Sequence, residues 1–230
     1  MMNESWIVLI LMALMLGVQH GFDLDHLATI DSVTRTVSNN RHLARRVGFL
    51  FSFGHGLVVI SISLIIGSGL MQSHIPAWLN EVGNWISIVF LFIFGLANLW
   101  NVLHVRSNSV IPITLKHFVF RQLNHSSLHP VWIILIGALF AFSFDTFTQI
   151  ALFSISASLL SGCLFSVTLG LLFMFGMMMA DGLNGLFVSA LIQRADKISQ
   201  FISRVAGLLI ALFSLAIGLI NLSKMMTHYA

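Results

Sequence analysis

Charge is scarce in this chain. Only 8% of its residues are Asp, Glu, Lys or Arg, and 57% are hydrophobic. Soluble domains carry roughly 25% charged residues, so a soluble globular domain is excluded. Cysteine is scarcer still. Cys163 stands alone, which excludes a disulfide framework and a Cys-x-x-Cys redox pair. No H-E-x-x-H or Ser–Lys arrangement is present, so an intramembrane hydrolase is not expected and the chain reads as a non-enzyme. The N-terminus, M-M-N-E-S-W, has no basic stretch, and no small-residue cleavage site follows it. The first apolar run is therefore expected to be a retained span.

What is present is apolar sequence with a mean hydropathy of +0.95. The fold class it implies is all-α and polytopic. About six transmembrane helices are expected, near 6–30, 48–70, 82–105, 131–157, 164–192 and 200–223. They form one transmembrane domain over 1–230, with the longest loop at 106–130. The fifth span holds Asp181-Gly-Leu-Asn184-Gly185 and is expected to bend. The pI near 9.6 comes from loop cations, which report topology before nucleic acid. Arg35, Arg41, Arg45 and Arg46 follow the first span. Arg106, Lys116 and Arg121 follow the third, and Arg194 and Lys197 the fifth. These loops are expected in the cytoplasm, with both termini outside. Trp78, Trp85, Trp100, Trp132 and Tyr229 suit span ends, where amphipathic rings prefer the interface.

The two halves share a pattern. G-F-D-L-D-H in the first and S-F-D-T-F-T-Q in the second both place Phe-Asp deep in a span. Three spans per half would invert one half relative to the other, so 1–105 and 131–223 are expected to be a 3+3 inverted repeat.

The polar residues inside the apolar runs carry the chemistry. H-G-F-D-L-D-H puts His20, Asp23, Asp25 and His26 within seven residues. A charge at a bilayer centre costs about 2.5–3.5 kcal/mol on insertion scales, so four such groups need a shared purpose. On a continuous helix His20, Asp23 and His26 would cover an arc of about 120°, with Asp25 off it. Imidazole and carboxylate suit a first-row divalent metal; a His–Asp network that only locks helices is the structural alternative. His55 lies between Gly54 and Gly56, which admit a close neighbour. Asp145, Thr146, Thr148 and Gln149 follow in the fourth span, Asp145 and Gln149 sharing a helical face. Asp181 and Asn184 share a face in the fifth. Met177, Met178 and Met179 point in different directions and read as core filler. His117, His125 and His129 read as solvated loop residues.

These motifs resemble a known family. H-G-F-D-L-D-H fits the H-x4-D-H signature of the nickel/cobalt transporter (NiCoT) family of permeases. L-F-S-F-G-H-G-L-V-V is similar to its L-G-H-S-x-V-V segment, and F-S-F-D-T-F-T-Q to L-G-F-D-T-A-T-E. G-M-M-M-A-D-G-L-N-G is similar to G-M-x-x-x-D-T-x-D. The four occur in family order over about residues 17–188. Short relatives of the UreH type, linked with urease accessory function, look similar too. The resemblance implies a permease moving Ni²⁺ and/or Co²⁺ across the cytoplasmic (inner) membrane, most simply by uptake. It implies metal ligands at His20, Asp23, Asp25, His26 and His55. Asp145, Thr146, Gln149, Asp181 and Asn184 would line the path or serve coupling. The metal is then transported substrate, no resident cofactor is expected, and the partners are the cation and the bilayer. Gln149 replaces the family's usual Glu and Asn184 its usual Asp, removing two intramembrane carboxylates. A metal exporter, or a non-transporting accessory or sensor of urease or metal homeostasis, is the competing reading.

Overall fold

The structure is a computed structural model that describes residues 2–68, 77–104, 129–142, 147–158, 163–194 and 197–229. These residues form helices and short turns, with no strand among them. The helices are α1 (Met2–Gly21), α2 (Leu24–Thr36), α3 (Arg41–Ala44), α4 (Val47–Gly67) and α5 (Ala77–His104). Then come α6 (Pro130–Phe140), α7 (Phe147–Ser158), α8 (Cys163–Gln193) and α9 (Lys197–Tyr229). The all-α polytopic class holds. Among the described residues, four helices are long and apolar enough to cross a membrane, or five if the pair α1–α2 counts as one broken span.

Two expected spans are each two helices. The run at 6–30 stops at Gly21 and restarts at Leu24. Phe22 N–H donates to Gln19 O at 3.0 Å and Asp23 N–H to His20 O at 2.9 Å, the tight i→i+3 turns that often close a helix. Asp25 then caps the restart, its Oδ1 accepting the His26 backbone N–H at 2.9 Å. The continuous arc through His20, Asp23 and His26 is therefore corrected. The run at 131–157 likewise divides into α6 and α7. Asp145 and Thr146 lie between them, outside the described residues, as do His117 and His125. The glycines and polar residues of 181–185 do not interrupt α8.

The chain divides into two compact units. The first comprises Met1–Asp23, Phe49–Ile86 and Ile134–Asp181. Its core gathers Ala13, Val59, Ile66, Ala141, Leu152, Phe153, Leu169, Phe173 and Met177. Met177 is thus core filler, as its thioether and flexible stem suit, while Met179 is exposed. Two helix crossings hold this unit at backbone contact. A Cβ on Gly17 of α1 would overlap the Phe173 carbonyl of α8, and one on Gly176 would overlap the Leu14 carbonyl. In the other crossing Gly54 of α4 faces the Ile134 carbonyl of α6, and Gly137 faces the Phe51 carbonyl. Helices associate in lipid through such small-residue packing, because lipid is as apolar as leucine.

The second unit comprises Leu24–Gly48, Ser87–Ile133 and Gly182–Ala230. Here α9 buries Ser203, Gly207, Ala211, Ser214 and Gly218, while Phe201, Leu208, Leu212, Phe213 and Leu219 are exposed. Small residues inside and large apolar ones outside reverse the pattern of a water-soluble helix. Arg35 is read from the sequence as a loop cation, but it lies in the last turn of α2 and points inward. It grips Asp31 with Nε at 2.8 Å and a second nitrogen at 2.8 Å, and donates to Ser203 Oγ at 2.9 Å and Ser203 O at 3.0 Å. The fork-shaped guanidinium is suited to holding a buried carboxylate and a carbonyl together. Arg41, Arg45 and Arg46 are the exposed cations of that loop.

Gly137→Ala should destabilise the protein by about 3 kcal/mol, since the methyl meets backbone that cannot rotate away. Gly218→Ala, where the nearest atom is 3.4 Å from the new carbon, should be nearly neutral. Thermal melts in one detergent compare them; equal melting points would dismiss the crossing as a constraint.

Candidate functional site

The first unit brings polar side chains from three helices to one buried point. His20 ends α1, where the helix dipole leaves partial negative charge and favours cations. His55 comes from the middle of α4, and Thr148 and Gln149 from the first turn of α7. His20, His55 and Gln149 are essentially inaccessible, and Thr148 nearly so. His20 Nε2 lies 3.2 Å from His55 Nε2. Gln149 Nε2 lies 2.7 Å from His55 Nε2 and 3.4 Å from His20 Nε2.

The break after Gly21 explains how His20 is aimed. It turns Asp23 back so that Oδ2 sits 2.8 Å from His20 Nδ1. A carboxylate can only accept, so Nδ1 of the neutral ring carries the proton. Thr148 Oγ1, 3.0 Å from the same nitrogen, is a second acceptor for it. Nε2 of His20 is left as a lone-pair donor facing His55. Phe173 walls the ring on one side, with centroids 5.3 Å apart, and Phe51 stands 6.2 Å from the His55 ring.

The sequence-expected residues fall out as follows. His20, Asp23, His55 and Gln149 are brought together. Asp181, fully buried on α8, belongs to the same unit and accepts a hydrogen bond from Ser52 Oγ at 2.6 Å. Gly21 exists for that approach: a Cβ there would stand 2.7 Å from Ala180 Cβ and 3.3 Å from Asp181 Oδ1. Asp25, His26 and Asn184 belong to the second unit. His26 is fully buried on the first turn of α2, Asp25 caps that turn, and Asn184 is half-buried. Ser52 and Phe173 were not singled out from sequence as parts of a site, and Thr148 was named among the polar residues of the fourth span without a role. Ser52 could have been, since it lies one helical turn before His55 and on its face. Phe173 could not, because a phenylalanine in an apolar helix carries no signal of what it packs against.

Two buried imidazoles, one ring oriented by a carboxylate, form an arrangement that can hold a divalent transition metal. The fold defines a multi-pass membrane protein, and this unit carries a buried histidine cluster. The family model described as "High-affinity nickel-transport protein" matches residues 6–226, and the chain belongs to that family. It is 33% identical over 259 residues to the high-affinity nickel-transport protein NixA of Helicobacter pylori, covering 98% of this chain and 77% of that protein. It is 30% identical to the nickel transporter NicT of Mycobacterium tuberculosis over 78% of this chain and 56% of the relative. The cobalt transport protein NhlF of Rhodococcus rhodochrous is 29% identical over 77% of this chain and 58% of its own length. No solved structure matches the chain.

The geometry sets one expectation that needs no metal. In ¹⁵N-histidine spectra neutral His20 should show the Nδ1–H tautomer, its signals identified as those lost in His20→Ala. Asp23→Asn should let the Nε2–H form appear, because an amide can donate as well as accept. An Nε2–H tautomer in the unaltered protein would contradict the assigned aim of the ring.

Proposed function

We propose that this chain takes up Ni²⁺ and/or Co²⁺ across the cytoplasmic (inner) membrane as a permease. Membership of the nickel-transport family supports the substrate class. The approach of His20 Nε2 to His55 Nε2 at 3.2 Å is the observation that carries the site. For metal–nitrogen bonds of about 2.1 Å, that separation corresponds to an angle near 100° at the ion, between octahedral and tetrahedral values. The two rings could therefore take a cation without moving apart. Asp23 acts on His20 from behind, fixing the ring's tautomer and orientation. Asp25 and His26, the remaining signature residues, belong to the same cation path. Asp145, Thr146, Gln149, Asp181 and Asn184 line that path or serve coupling.

The topology follows from charge. Exposed Arg41, Arg45 and Arg46 favour a cytoplasmic first loop and external termini. Residues 1–105 and 131–223 form an inverted repeat in this reading. The backbone contacts support it: Leu14 and Gly17 stand 120 positions before Ile134 and Gly137, and Phe51 and Gly54 stand 122 before Phe173 and Gly176. The α1–α8 crossing thus has the same residue pattern as the α6–α4 crossing. The second unit repeats the theme within itself, Gly95 meeting Leu215 and Gly218 meeting Phe92. By the same register His20 corresponds to Phe140 and His55 to Met177, so a single imidazole site per chain is expected.

Uptake of radioactive nickel and cobalt into proteoliposomes tests the function. His20→Ala should abolish saturable uptake while melting like the parent; undiminished uptake by that variant would remove the site. Binding without any uptake would make the chain an accessory or sensor instead. Cys163, the lone thiol, tests the orientation. A membrane-impermeant maleimide should label it in intact cells from outside, and labelling only after lysis would reverse the topology.

A further inference from the structure

Gln149 is the least expected member of the buried cluster. Its amide has two different ends, and the NH₂ faces the imidazoles. Asp23 keeps the His20 proton on Nδ1, so His20 Nε2 presents a lone pair. His55 Nε2, 2.7 Å from the amide nitrogen, accepts one of its two hydrogens. The amide can therefore bridge nitrogens that would otherwise oppose each other at 3.2 Å. Its other end, Oε1, is fully buried and without a hydrogen-bond partner.

A cation between the rings reverses the requirement. An amide NH₂ has no lone pair to give a metal and turns its positive hydrogens toward it; only the carbonyl oxygen can ligate. We propose that Gln149 is a direct ligand of the transported cation, its amide turning about one bond to set the C=O inward when the cation is bound. This rests on the cation-site reading given above. The turn exchanges two atoms of nearly the same size about one bond. Oε1 gives up no hydrogen bond on leaving its present position, because it has none there.

The three inward atoms already have the dimensions of a coordination face. They form a triangle with edges of 2.7, 3.2 and 3.4 Å. For bonds of about 2.1 Å, neighbouring ligands are about 3.0 Å apart in an octahedron and about 3.4 Å in a tetrahedron. Gln149 thus completes a face of two nitrogens and one oxygen, all neutral. A neutral amide leaves both charges of the cation less compensated than a carboxylate would, which weakens the hold and favours release.

The full-length protein in detergent, with Ni²⁺ and Co²⁺ as probes, tests this. Gln149→Leu should weaken binding about tenfold or more, and Gln149→Glu should tighten it about tenfold while lowering maximal uptake. Infrared difference spectra should show a glutamine side-chain carbonyl band moving to lower frequency on metal addition, absent from the Leu variant. A merely structural Gln149 would not produce that band. Should His20→Ala abolish binding while Gln149→Leu stays within about twofold of the parent and no carbonyl band moves, the amide is not a ligand and the imidazole site stands. Should His20→Ala bind normally, the imidazole site and this inference fall together. If the Leu variant does not fold, the Glu variant and the parent's infrared spectrum decide; unchanged affinity and an unmoved band overturn the proposal.

Discussion

The site depends on one hydrogen bond across a broken helix. The chain makes two tight turns after Gln19 and His20, and the Asp23 carboxylate lies 2.8 Å from His20 Nδ1. That contact chooses the tautomer, and the tautomer chooses which nitrogen faces His55 and Gln149. A ring free to take either form would present a proton to a cation whenever Nε2 carried it. The carboxylate is partly exposed, with 31% of its side chain accessible, whereas the His20 ring it orients is buried.

Bringing three helices to that point requires that nothing bulky stand between their backbones. The glycines at 17, 54, 137 and 176 meet carbonyl groups of their partners directly. These crossings set how closely α1 lies against α8 and α4 against α6 in the first unit. The second unit is held differently. A stripe of serine, glycine and alanine on α9 admits close neighbours, and Arg35 ties α2 to α9 through Asp31 and Ser203. Both devices suit an environment in which apolar burial alone does not favour protein over lipid.

Much of this was legible in order along the chain. Hydropathy located the long helices α4, α5, α8 and α9 to within a few residues, because span length is dictated by bilayer thickness. Intramembrane cost drew attention to His20, Asp23 and His55, and they do converge. Less legible was Arg35. Composition counts it among the loop cations, whereas an i, i+4 pairing with Asp31 turns it inward.

Sequence alone determined the class, the apolar runs and which polar groups are too costly to be idle in a membrane. Each of those follows from composition and local spacing. Only the tertiary structure decided that the first and fourth runs break, that Asp23 serves His20 from behind, and that Thr148 and Gln149 stand beside the imidazoles. The last of these depends on contacts between residues far apart in the chain, such as Gln149 with His20, 129 positions apart. Helical periodicity reports which residues share a face, and it cannot say where a helix stops sharing it.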